Sequence, residues 1–110
     1  MAYSEALADR IRGVLGRRQR ISEKRMFGGL AFLVDGKMFC GVIESDLMAR
    51  VGPKAWERAL ARPHARPMDF TGRPLTGYVY VAPPGVRTAS SLRKWVGQAL
   101  AFARTLPGQK

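Results

Sequence analysis

Apolar positions change their spacing along this chain, and each change marks an element. In AYSEALADRIRGVLGRR, Leu7, Ile11, Val14 and Leu15 recur at three- and four-residue steps, the spacing of one helical stripe. Ser4 stands where an N-cap belongs, and Glu5 and Asp9 suit the positive end of a helix. Arg17, Arg18 and Arg20 collect at the other end, where cations are favoured. Beyond them the helical period stops.

Two continuous apolar runs, LAFLV and KMFCGVI, flank Asp35-Gly36. Asp-Gly between such runs predicts a β-hairpin, because a two-residue type I′ turn needs positive φ at both central positions. That turn sets Val34 against Lys37, Leu33 against Met38, Phe32 against Phe39 and Ala31 against Cys40. Phe32 and Phe39 then pair on one face, and Gly41 lies opposite Leu30. Leu33, Met38, Cys40 and Val42 form a second apolar face. A sheet apolar on both faces needs a cover on both, from helices or a second subunit. Gly28-Gly29, just before the hairpin, lets the chain bend or another backbone approach closely.

The pattern continues with a turn at ESD and a third strand, LMARV, stopped by Gly52. Pro53 opens a short helix, PKAWERALA, with Trp56 and Leu60 on one side. RPHARPMDFTGRP reads as an irregular connection in which PMDF is the candidate for a further strand. LTGYVYVAP is a strand ended by Pro83-Pro84. In TASSLRKWVGQALAFARTL, Leu92, Trp95, Val96, Ala99, Leu100 and Ala103 form a buried helical stripe, with Thr88 or Ser90 as cap. The elements predict an α+β fold, a single-domain α/β sandwich. Their order is α-β-β-β-α-β-β-α, with a mainly antiparallel sheet.

Composition narrows the class. With 110 residues and 46% apolar content, the chain suits one globular domain, expected over 1–107 with a frayed tail at 108–110. Its single cysteine, Cys40, cannot form an internal disulfide, and the expected setting is a reducing cytoplasm. No stretch has the length of a membrane helix. Nineteen Lys and Arg against eight Asp and Glu leave a net charge of +11. Such a field attracts nucleic acid, acidic proteins or anionic lipid. A uniformly basic surface is the alternative reading.

Candidate chemistry is sparse. A Walker loop needs Ser or Thr after Gly-Lys, and Met38 follows Gly36-Lys37. A dinucleotide fingerprint needs a helix after its glycines, and here another strand follows. Cys40 and His64 are too few for a structural zinc site. Cys40 sits mid-strand among apolar residues, where a thiol is inert, and His64 reads as a surface histidine. Asp35, Glu44 and Asp46 have turn roles. No enzyme activity, cofactor or metal is expected. Tyr78 and Tyr80 share one strand face and can stack bases, or cover the core with their hydroxyls at its rim.

The stretch KRMFGGLAFLVDGKMFCGVIESDLMARV, with the later MDFTGRPLTGYVYVAP and LRKWVGQALAFA, resembles the TfoX N-terminal domain family (TfoX/Sxy-like). The resemblance runs over roughly 22–106. Its motif residues are Met26, Phe27, Gly28 and Gly29, followed by the Asp35-Gly36 turn. The resemblance implies an α/β sandwich of helix, three strands, helix, two strands, helix. It also implies an association with the regulation of competence genes. Full-length members carry a second, C-terminal domain, so the resemblance implies that this chain is expected to correspond to a stand-alone N-terminal domain.

The functional expectation is a non-enzymatic regulatory module that meets a protein partner, nucleic acid or both. Arg17, Arg18, Arg20, Lys24 and Arg25 are its candidate contacts. The alternatives are a homodimeric interaction module built on the two-faced hairpin, and a small-ligand pocket lined by Phe27, Phe39 and Trp56.

Overall fold

The computed structural model describes residues 3–16, 20–26, 28–69 and 74–106. The expected caps are made. Helix α1 (Glu5–Leu15) starts at Ser4, whose Oγ accepts from the Leu7 N–H at 3.1 Å. Helix α3 (Ala89–Arg104) starts at Thr88, whose Oγ1 accepts from the Ser91 N–H at 3.0 Å. Each cap satisfies one of the donors that a helix start leaves open. All six residues of the stripe read from the final helix are buried.

Six strands make the sheet: β1 (Ile21–Met26), β2 (Gly29–Val34), β3 (Lys37–Ile43), β4 (Asp46–Arg50), β5 (Ala65–Asp69) and β6 (Pro74–Val81). A short helix, α2 (Trp56–Leu60), separates β4 from β5, and a 3-10 turn (Pro83–Val86) follows β6. Every pairing is antiparallel, in the order β1-β2-β3-β4-β6-β5. The α+β class stands, and Pro67, Met68 and Asp69 of PMDF fall within β5, while Phe70 lies outside the described residues. The sheet carries one strand more than the apolar pattern showed. Strand β1, ISEKRM, is an edge strand whose four central residues are exposed, so it has no apolar run to betray it. Charged residues on β1 and Pro67 on β5 blunt the two sheet edges.

The hairpin turn forms as read, with Asp35 at φ 51° and Gly36 at φ 78°. Its register holds for Val34–Lys37 and Leu33–Met38 and then slips. Phe39 is an extra residue, so Phe32 faces Cys40, Ala31 faces Gly41 and Leu30 faces Val42. The expected Phe32–Phe39 pair is therefore replaced by a β-bulge. The physical gain is plain: Phe39, Cys40 and Val42 all enter the core beside Phe32. An unbulged register would have turned Cys40 and Val42 away from it. Gly41 moves to the opposite face.

All three helices cover the same face of the sheet. Ile11, Ala59, Trp95 and Val96 meet Phe32, Leu47, Val79 and Val81 in one core. Cys40 lies wholly inside it, and burial pushes its thiol pKa far up, which agrees with an inert packing role. Phe39 is wholly buried there too, so it lines no pocket. Trp56 is half-buried and donates its indole N–H to the Tyr78 carbonyl at 2.9 Å. Lys37 is the only buried charged residue among those described. Its ammonium reaches the Leu106 carbonyl at 3.1 Å and ties the hairpin to the end of α3.

Candidate interaction surface

Because side chains alternate along a strand, the residues between the core positions define the second face of the sheet. All four described methionines belong to it. Met26, Met38, Met48 and Met68 line one crevice together with Ala31 and Ile43. Glycine makes this packing possible at Gly29, where a Cβ would collide with the Val42 carbonyl oxygen. The crevice holds only about 10 Å³, room for about one water molecule. It is too small for a ligand cavity. Met48 and Met68 are buried, whereas Met26, Leu33, Met38 and Ile43 are half-buried.

Tyr78 and Tyr80 lie on this second face, since Val79 and Val81 take the core positions between them. The tyrosines therefore do not cover the helix-side core, and each carries an arginine. The Arg50 guanidinium lies 5.5 Å from the Tyr78 ring centre and 5.6 Å from that of Phe102. Its Nη1 donates to the Met38 carbonyl at 3.3 Å. The Arg66 guanidinium lies 4.8 Å from the Tyr80 ring centre and donates to Asp46 Oδ2 at 2.5 Å. Burial raises the Tyr80 phenol pKa, against the pull of Arg66. These distances are within cation–π range.

The residues singled out from the sequence separate here. Arg17, Arg18 and Phe27 lie outside the described residues, as does the tail at 108–110. Arg20 sits in the turn before β1 with φ 70° and pairs with Asp35 at 3.2 Å. Its carbonyl also accepts from the Asp35 N–H at 3.0 Å, so it serves the hairpin turn. Lys24 faces Ala31 and stands on the methionine face. Arg25 faces Leu30 and points to the helix side. Met26 pairs with Gly29, and Gly28 takes φ 74° in the turn between β1 and β2.

Arg50 and Arg66 were missed, although each sits one strand step from residues that had been placed. Alternation along LMARV would have put Arg50 on the Tyr78 side. Larger recesses lie elsewhere. One of about 570 Å³, mostly apolar, is lined by residues 50–55 with Phe102, Thr105 and Leu106. Another of about 240 Å³ lies beside Arg62 and His64. Among the described residues, no cluster of His, Cys, Asp and Glu could hold a metal ion. Among them too, no helix is long and apolar enough to cross a membrane.

The sequence profile of the TfoX N-terminal domain family matches residues 14–103, and that span contains every strand and nearly all of α3. The chain belongs to the TfoX N-terminal domain family. Comparison with curated proteins and with solved structures finds no match. Membership in the TfoX N-terminal domain family suggests a regulatory, competence-related domain. It leaves the contacts of this chain to be argued from its own surface.

Proposed function

We propose that this chain is a non-enzymatic binding module of the cytoplasm that acts in transcription regulation through an acidic protein partner. The observation that supports it is the make-up of the methionine face. Methionine, tyrosine and arginine are the residues enriched in protein interfaces, and here four methionines, Tyr80 and Arg66 share the sheet face opposite the helices. Methionine adapts its shape to a partner. Lys24 on β1 and Arg66 on β5, the latter paired with Asp46, are the cationic side chains at the two edges of this face. A partner with apolar side chains ringed by carboxylates fits that pattern.

Nucleic acid is the second reading. It is favoured by the arginine–tyrosine pairs and the net charge of +11.

Affinity capture by the intact chain, with and without nuclease, separates the two. The informative variant combines Lys24→Glu and Arg66→Glu. Its control combines Arg58→Glu and Arg93→Glu, exposed on α2 and α3 with the same change of charge. The expected result is nuclease-resistant capture of an acidic protein, lost in the first variant and kept in the control. Capture abolished by nuclease favours nucleic acid. Equal loss in both variants, or only the chain itself recovered, overturns the partner reading.

A further inference from the structure

One recess on the helix side of the molecule is lined by cations and by no acid. It holds about 240 Å³ and lies between the α2–β5 connection, the 3-10 turn and the first turns of α3. Arg62, His64, Lys94 and Ser91 line it. Neither of the two cations, Arg62 and Lys94, has an ion-pair partner among the described residues.

The parts are held in place. The Arg62 guanidinium lies 3.5 Å from the ring centre of Trp95, and its Nη1 donates to Gln98 at 3.0 Å. His64 is kept at φ 68°, with its carbonyl accepting from the Ala82 N–H at 2.9 Å. A non-glycine residue in this region is uncommon and marks a constrained position. Gly85 permits the constriction, because a Cβ there would fall 2.6 Å from Val81 Cγ1 and 3.0 Å from His64 Cβ. The Thr88 hydroxyl donates to Ser91 Oγ at 2.9 Å, which leaves the Ser91 proton free to donate.

We infer that this recess binds the phosphomonoester group of a small molecule. Two cationic side chains, an imidazole and a hydroxyl lining one recess suit a tetrahedral dianion, and arginine recognises such groups in a fixed fork. The volume admits the phosphate together with a small organic group. Burial lowers the Arg62 pKa, the cost of a desolvated cation that a bound anion would relieve. This site is separate from the methionine face and does not depend on the partner reading.

The test is calorimetric titration of the intact chain with inorganic phosphate, methyl phosphate and dimethyl phosphate at matched ionic strength. Saturable binding of the first two, in the millimolar range or tighter, is expected. Lys94→Gln and His64→Gln are surface changes, and each should weaken it by roughly three- to tenfold. Lys24→Gln, on the other side of the sheet, should leave it unchanged. Circular dichroism of each variant checks that the fold is kept. Three outcomes would overturn the assignment: no saturable binding, equal binding of the dimethyl diester, or an equal loss in Lys24→Gln.

Discussion

Single residues in this chain answer to their immediate surroundings, and the helix glycines show it most simply. Gly13 in α1 and Gly97 in α3 are exposed, and a Cβ at either would meet nothing within 4 Å. Neither has a positive φ. Glycine in a helix interior costs roughly 0.5–1 kcal/mol against alanine. Gly13→Ala and Gly97→Ala should therefore each raise stability by about that amount, measured by urea unfolding with an unchanged m-value. A loss of stability in either would mean that the position serves close packing in solution. The glycine cost was legible in the sequence. Whether packing used Gly13 was not, because the space above a helix residue belongs to whatever lies across from it.

At the scale of elements, α1 is fastened to the edge strand β1 by a two-pronged ion pair. Arg12 Nε and Nη2 donate to the two Glu23 carboxylate oxygens at 2.7 and 2.9 Å. Arg12 also reaches Asp9 at 2.6 Å. The Arg12 bond holds the Glu23 carboxyl below its usual range, and partial burial opposes this. A depressed folded-state pKa contributes stability above the unfolded value of about 4.3. That contribution is lost as pH falls through the folded-state value. Unfolding free energy should thus fall more steeply with acid below about pH 4 in the native chain than in Arg12→Ala. Identical pH profiles would show that the pair contributes nothing in solution. The pair joins residues whose adjacency depends on β1 existing, and β1 was the strand that the apolar pattern did not show. The same limit applies to the hairpin. Its turn was legible from Asp35-Gly36, which is local chemistry, but the bulge at Phe39 was decided by what the core would accept.

For the whole molecule, charge is the dominant scale. The net +11 is spread over a 110-residue chain, and only four ion pairs join described residues. Self-repulsion of this kind destabilises the compact state and is screened by salt. The melting temperature should therefore rise, by a few degrees, as salt goes from about 0.01 to about 0.2 M. A fall over that range would mean that the attractive pairs outweigh the repulsion. The candidate contacts divide at this scale as well. Arg20 serves a turn, and Lys24 and Arg25 point to opposite faces. Arg66 joins Lys24 on the methionine face instead, and Arg50 lies between Tyr78 and Phe102 of α3.

By itself the sequence determined the first and last helices with their caps and buried stripes, the hairpin turn, the α+β class and the family. Each of these is written in local chemistry or in a short period: a capping oxygen, a positive-φ pair, apolar residues at helical steps. The middle helix starts at Trp56 and not at Pro53, without a side-chain cap. The tertiary structure alone decided the bulged register and the edge strand. It also decided the grouping of four methionines on one face and of Arg62, His64 and Lys94 around one recess. These arise where residues far apart in the chain are brought into the same few ångströms, and burial there selects among arrangements that the local pattern leaves equivalent.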